Sequence, residues 1–468
     1  MSTQVAKNSR ASACVTTRGR IVALVTVLIL GVLSFQLGSS MLNPALPDIA
    51  HSLGVDLDAV SQVTSLFFLA GSVTGVVLAR WSDFIGRRRM FVIILIVLAV
   101  GSALCILAPT LPLLVIGRVL QGVSSAAFPL AYLMLHENLN PKTFGTAMGV
   151  VTAVNGGVGG VDAYAGGLLA DTFGYRSIFV VIFLFGLIGL VAIRLVAPRD
   201  AASHSAGRMD WWGAGLFSIG LICLTYFVSH GASHGWLAPL TLLFLAVTIA
   251  GFTTFWFIEK RIHSPLIAVQ HLRSRQVWPL IATTLFTLCG VFAVINFTLV
   301  ILTQNDTVGF GMSASTSALV VLTPPALIGI IAAPLSGRLA ARFGWIRLLR
   351  IGLIICIAGI AVVASFPTEL AAVMVAVALF GVAYYGLALT TTNGLGVLLS
   401  PKEEPGILPG VNGAAFGIGA SLGIALVAPA VSAGTSGGFV TGLVVSGGLT
   451  VLALISSLLI RPRDGEPV

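Results

Sequence analysis

Residues 21–42 read IVALVTVLILGVLSFQLGSSML, a run of apolar and small residues with no charge. A membrane-spanning helix needs about 20 such residues. A cleavable secretion signal has an apolar core of only about 7–15 residues. Lys7, Arg10, Arg18 and Arg20 precede the run, so it reads as a retained span with a basic flank. Runs of the same kind recur along the whole chain, at about 59–79, 90–108, 112–135, 146–170, 177–197, 211–230, 237–258, 277–302, 315–337, 346–366, 370–398, 407–431 and 438–460. Counting the first, these predict fourteen spans, numbered below as segments 1 to 14. The breaks between them hold turn-formers and charges, as at Pro109–Pro112, Asn140–Lys142 and Ser400–Gly406.

Composition leads to the same class. The 468 residues are 57% hydrophobic and 9% charged, whereas a soluble domain carries about 25% charged residues. The net charge of +9 does not point to nucleic acid, because its placement follows membrane topology. Arg80, Arg87, Arg88 and Arg89 follow segment 2, and Lys142, Arg199 and Arg208 follow segments 4 and 6. Lys260, Arg261, Arg273 and Arg275 follow segment 8, and Arg338, Arg342, Arg347 and Arg350 follow segment 10. Lys402, Arg461 and Arg463 follow segments 12 and 14, and the opposite loops carry Arg176 alone. This one-sided distribution predicts both termini in the cytoplasm of a cell (plasma or inner) membrane. Cys14, Cys105, Cys223, Cys289 and Cys356 are widely spaced and read as small hydrophobes, neither metal ligands nor disulfides.

The expected fold class is an all-α integral membrane protein with fourteen transmembrane helices. Two six-helix halves, residues 1–200 and 276–468, flank a two-helix insert at 201–275. Two halves of six spans are how major facilitator transporters are built. No loop is long enough for a soluble catalytic domain, and no G-x-x-x-x-G-K-[ST] motif occurs. ATP is therefore not expected to drive the protein, and no cofactor is expected beyond a proton gradient. No His/Asp/Ser or metal constellation lies in the segments; His230 and His234 sit at an outer loop and read as interface residues.

ARWSDFIGRRRMF, residues 79–91, follows segment 2. It resembles the signature loop of the major facilitator superfamily, G-x-L-a-D-r-x-G-r-r, with Asp83, Gly86, Arg87 and Arg88 matching. Resemblance assigns this loop a conformational latch role, in which Asp83 at a helix end pairs with the arginines and with a helix N-terminus across the cleft. A weaker echo, SGRLAARFGWIR, follows segment 10 without an acid. In segment 4, LVIGRVLQGVSSAA resembles the family's l-x-x-x-R-x-x-q-G motif. Arg118, Gln121, Ser125, Pro129 and Tyr132 share one helix face at 100° per residue, and an arginine inside a span faces a cavity or a partner. Arg194, near the end of segment 6, can instead snorkel to the interface. MLNPALPDI (41–49), the stretch 210–236 and the stretch 259–275 look like the fourteen-span drug:proton antiporter branch. Two positions depart from that branch. Gly38 stands where it has an acid in segment 1. In segment 5, Asp162 and Ala163 stand for the glycine and proline of its antiporter motif.

Asp162 is the acid placed well inside a segment, and segments 9–14 contain none. On a straight helix, Gly149, Ala153, Gly156, Gly160 and Gly167 form a stripe for close packing. Asn155, Gly159, Asp162 and Gly166 form a second stripe facing a cavity. An intramembrane acid is functional by default. Arg118 and Asp162 both lie roughly 10 Å below the outer surface at 1.5 Å per residue, so they are expected to act together in proton coupling, Asp162 loading when Arg118 is distant and unloading when it approaches. Substrate-binding residues are expected from segment 1 (Gln36, Ser39, Ser40, Asn43), segment 4 (Gln121, Ser125) and segment 5 (Asn155). The second half offers Asn296, Tyr384, Tyr385, Thr391, Thr392, Asn393 and Asn412, with Asn296, Tyr385, Thr392 and Asn412 taken as its binding set.

The expected function is proton-coupled export of a small organic molecule, a drug or metabolite, by alternating access. The expected partners are that molecule, protons and the lipid bilayer, with the chain acting as a monomer. One acid and one arginine in the segments favour neutral, zwitterionic or anionic amphipathic substrates over dications. Proton-linked uptake is the alternative, favoured by the lost proline of segment 5. A membrane sensor that transports nothing is the rival from another class.

Overall fold

The computed structural model describes residues 18–42, 45–55, 57–159, 162–198, 209–261, 274–312, 314–401, 405–431 and 433–461. Among them every regular element is helical. Thirteen helical stretches are long and apolar enough to cross a membrane. The reason is general: in hydrocarbon each backbone N–H and C=O needs a partner within the chain, and a helix supplies it locally. Prolines stand in the first turn of the helices Leu111–Gly122, Pro141–Gly157, Pro239–Glu259 and Trp278–Thr287, where the missing N–H has no intrahelical partner to lose.

Segment 2 is longer than expected. Its helix runs from Leu57 to Ile85, so Asp83 sits in a final helical turn and not in a loop. Gly86, with φ 100° and ψ 146°, turns the chain into the next helix, Arg87–Leu107. Gly344 does the same between Thr323–Phe343 and Trp345–Ser365, with φ 97° and ψ 136°. A positive φ of this size is glycine's territory. The same corner at matching places of the two halves fits a duplicated architecture.

Segment 5 departs from the expected single helix at 146–170. It forms two helices, Pro141–Gly157 and Asp162–Phe173, with a bend and a turn at Val158 and Gly159. Clustered glycines hold a helix weakly. Asp162 is the first described residue of the second helix, and its N–H donates to the Val158 carbonyl at 3.0 Å. Segments 9, 10 and 12 are also irregular. They carry π-helical stretches at Leu288–Phe292, Val294–Thr298, Ala318–Leu322 and Gly381–Ala388. The first half instead has a short 3-10 stretch, Val123–Ala126, inside segment 4.

The halves meet closely at the end that carries the basic loops. A Cβ on Gly145 would strike the Gly337 carbonyl, and one on Gly149 the Ala333 carbonyl. These contacts join segments 5 and 10 and bear out close packing at Gly149. On the other seam, segment 2 meets segment 13, Ile407–Val431: a Cβ on Gly410 would lie 2.9 Å from Val76 Cα. Segment 7 wedges against this seam. Its Ala214, Phe217 and Leu221 are buried with Val76, Phe255 and Ala414.

Candidate functional site

A cavity of about 840 Å³ lies between the halves. Segment 1 lines it with Phe35, Gln36, Ser39 and Ser40; segment 2 with Thr64, Phe68 and Ser72; segment 4 with Ser125, Phe128, Pro129 and Tyr132. The opposite wall comes from Phe292 and Asn296 of segment 9, Tyr384, Tyr385 and Asn393 of segment 12, and Phe416 and Ser421 of segment 13. None of the described lining residues carries a charge. The π-helical stretches contribute Phe292, Asn296, Leu322, Tyr384 and Tyr385 to that wall. Such stretches recur at functional sites because they open the regular hydrogen-bond ladder.

The rings are ordered against one another. Phe35 stacks on Phe67 at 5.1 Å and meets Phe128 edge to face at 5.9 Å. Across the cavity, Tyr384 and Tyr385 pack edge to face at 5.0 Å, and Phe292 and Phe416 at 6.5 Å. These are the favoured geometries for π systems, and they leave a rigid apolar frame around a few amides and hydroxyls. Asn296 donates to the Phe292 carbonyl at 3.2 Å, and Ser125 donates to the Gly71 carbonyl at 2.6 Å.

Asp162 is buried, with 4% of its surface exposed, and it stands one step behind the cavity wall. Ser40 Oγ donates to Asp162 Oδ2 at 2.5 Å, and Gln36 Nε2 donates to Ser40 Oγ at 3.3 Å. Gly159 also lines the cavity; a Cβ there would lie 3.1 Å from Gln36 Nε2. Gly166, expected on the same cavity-facing stripe, packs instead on the Met41 carbonyl of segment 1.

Arg118 is fully buried and faces segment 2. Its Nε donates to the Val63 carbonyl at 3.2 Å, and its Nη1 to Gln121 Oε1 at 2.9 Å. The guanidinium lies 4.1 Å from the Phe67 ring centroid, a cation–π contact. Nη2 meets no hydrogen-bond acceptor among the described residues. Arg118 and Asp162 do not form an ion pair in this conformation. A Cβ on Gly38, the place where the antiporter branch has its acid, would lie 3.8 Å from Arg118 Nη1. An acid there would face the arginine; here the only acid deep in the segments is displaced to segment 5 and reached through Ser40.

The residues expected to form a latch include a buried charge cluster around Asp83. Arg80 Nη1 lies 3.0 Å from Asp83 Oδ2, and Arg87 Nη1 lies 2.5 Å from Asp83 Oδ1. Arg87 Nε donates to Glu137 at 3.1 Å, and its Nη1 to Ser82. Arg88, also expected in the latch, donates to the Arg194 carbonyl instead. A Cβ on Gly406 would lie 3.0 Å from Asp83 Oδ1. The carboxylate thus abuts the start of segment 13 in the other half.

Several expected binding residues lie elsewhere. Gln121 is held in the first half, its Nε2 donating to Ser102 at 2.8 Å. Thr392 turns its hydroxyl back to the Ala388 carbonyl at 2.8 Å, as a threonine in an apolar helix does for want of water. Asn412 accepts from Thr284 at 2.6 Å, tying segment 13 to segment 9. None of the three lines the cavity. Asn43, and the side chain of Asn155, lie outside the described residues. Conversely, the phenylalanines of the frame (Phe35, Phe68, Phe128, Phe292 and Phe416) and Thr225 of segment 7 were missed; such rings look like ordinary apolar content in a chain that is 57% hydrophobic.

Comparison with known proteins places this architecture. Residues 28–424 match the family model for the Major Facilitator Superfamily. The chain is 34% identical over 458 residues to a uridine/deoxyuridine transporter of Lactococcus lactis subsp. cremoris, covering 94% of this chain and 95% of that protein. It is 29% identical over 407 residues to the multidrug resistance protein Stp of Mycobacterium tuberculosis, covering 86% and 74% respectively. The crystal structure of a human organic anion transporter shares the fold, with a TM-score of 0.65 and 16% identity over 94% of this chain and 99% of that one. The multi-pass architecture, the central cavity and these matches lead to one conclusion: the chain belongs to the Major Facilitator Superfamily and is a membrane transporter, not an enzyme.

Proposed function

We propose that this chain is a proton-coupled secondary transporter that moves a neutral, ring-bearing polar solute of the nucleoside class by alternating access. The observation that carries this reading is the cavity: about 840 Å³, uncharged, with eight aromatic side chains and the amides of Gln36, Asn296 and Asn393. Aromatic faces stack on a planar base. Amides offer both donors and acceptors to its edge and to sugar hydroxyls. A doubly charged solute would be left without compensation there. The relative that transports uridine and deoxyuridine supports the same class.

Asp162 is the proton carrier in this proposal, and Arg118 its partner at another stage of the cycle. The basic end faces the cytoplasm of the cell membrane, as positive-inside bias requires, so the closely packed seams make this an outward-facing state. The fourteen-segment layout, with halves at 1–200 and 276–468 and a paired insert at 201–275, is the arrangement of the drug:proton antiporter branch. The chain works as a monomer, and the proton gradient is its only energy source. A second reading, export of larger aromatic drugs, draws on the ring-lined walls and on the drug-resistance relative.

The test is exchange of labelled uridine in proteoliposomes. Saturable exchange, blocked by deoxyuridine and unaffected by an aromatic dication, supports the nucleoside reading. Exchange blocked equally by unrelated aromatic drugs supports the second reading. Counterflow in inverted against right-side-out vesicles reads the direction. Failure to move either class under a pH gradient would point to a substrate of another class.

A further inference from the structure

We propose that Ser40 is the residue that couples solute to proton, and that it makes the two bind together. The inference rests on the cavity and on Asp162 as read above. Ser40 lines the cavity and also bonds to Asp162, which does not line it. A hydroxyl has one proton to give and two lone pairs to fill. While Asp162 is ionised it can only accept, so Ser40 spends its proton on Oδ2 at 2.5 Å. A solute acceptor then finds no donor at Ser40.

When Asp162 takes up a proton from water, the direction of the bond reverses. The carboxylic acid donates to Ser40 Oγ. One lone pair of Ser40 then takes the acid proton and the other takes Gln36 Nε2. The serine proton is released for another acceptor. The Gln36 carbonyl, at 3.0 Å, is the resting choice; a carbonyl or ring nitrogen of a solute in the cavity is the productive one. Solutes presenting an acceptor at Ser40 therefore bind the protonated transporter more tightly, and by linkage they tighten proton binding by the same factor. Proton and solute then move in the same direction. With an inward proton gradient that direction is uptake.

Among the described residues, the charged and titratable side chains on the neighbouring elements have the following partners and positions. Arg176 donates to the Ala108 carbonyl at 2.9 Å and lies over the Tyr175 ring. Tyr164 is 77% exposed. Arg118 is held by Val63 and Gln121. Arg20 and Arg194 stand at the basic end of segments 1 and 6.

The experiment is the apparent KM for uridine exchange at pH 6 and pH 8, in proteoliposomes of wild type, Ser40→Ala, Ser40→Thr and Asp162→Asn. Wild-type KM should be about tenfold lower at pH 6, within the usual range of coupling between two sites. Ser40→Thr keeps the hydroxyl and should keep that ratio. Ser40→Ala should lose it and stay near the high, pH 8 value. Asp162→Asn should also lose it, but stay near the low value, because the amide donates to Ser40 as the acid would. A Ser40→Ala protein with the wild-type ratio, or a wild-type KM that is lower at pH 8, would overturn the inference. Absence of uridine exchange in every form would overturn the nucleoside reading and this inference with it; loss of the relay alone leaves exchange in place.

Discussion

The two halves turn the same glycine corner, at Gly86 and Gly344, with φ angles of 100° and 97°, yet they carry different chemistry. The first half holds the buried charges: Asp83 among Arg80 and Arg87, Arg118 against Phe67, and Asp162 behind Ser40. Segments 9–14 of the second half hold no acid. They supply π-helical stretches that carry Phe292, Asn296, Tyr384 and Tyr385 into the cavity. A duplicated scaffold has thus been specialised. In the proposed function, the first half holds and moves the proton, and both walls grip a neutral ring.

Breaking the first-half wall should have the largest effect. Asp162→Asn should abolish pH-driven uridine accumulation, leaving equal concentrations inside and outside, while exchange continues. Arg118→Lys keeps the charge but loses the planar fork; each lost contact to a charged group is worth about 1.5–3 kcal/mol, so transport should fall about tenfold to a hundredfold. Reduced transport at normal membrane abundance would check this, and normal transport by Arg118→Leu would contradict it. Asp83→Asn weakens one buried cluster by about 1.5–3 kcal/mol, which moves the balance toward the state open at the basic end. Cysteine labelling from both faces reads that balance, and unchanged accessibility would remove the latch from the account. The smallest effect falls on the second wall. Asn296→Ala should raise the KM for uridine about two- to tenfold, the worth of one neutral hydrogen bond, and should leave the pH dependence of accumulation as it was.

The apolar runs were legible because hydrocarbon admits little but helices of that length, and thirteen of the fourteen segments appear as such stretches. Asp83 with Arg87 was legible because helix-end charges with a glycine corner have few other partners. Less legible was everything that depends on the helices not being straight. A wheel drawn at 100° per residue put Gln121 on one face with Ser125, Pro129 and Tyr132. The 3-10 stretch Val123–Ala126 follows Gln121 and contains Ser125, and the structure turns Gln121 toward Ser102 while the other three face the cavity. The same regular wheel misjudged segment 5, where a bend and a turn at Val158 and Gly159 interrupt the helix ahead of Asp162. Thr392 and Asn412 were over-read: a polar residue in an apolar helix is satisfied as readily by its own backbone or a neighbour as by a substrate.

The central claim is that the proton sits at Asp162 in the first half, whereas Asn296 of the second half reads the solute without touching the proton. Uridine flux and proton flux, recorded together in one proteoliposome preparation with a luminal pH dye, test it most directly. Asp162→Asn should move uridine without protons, and Asn296→Ala should move less uridine at an unchanged number of protons per uridine. Asp162→Asn carrying protons at the wild-type ratio would contradict the account.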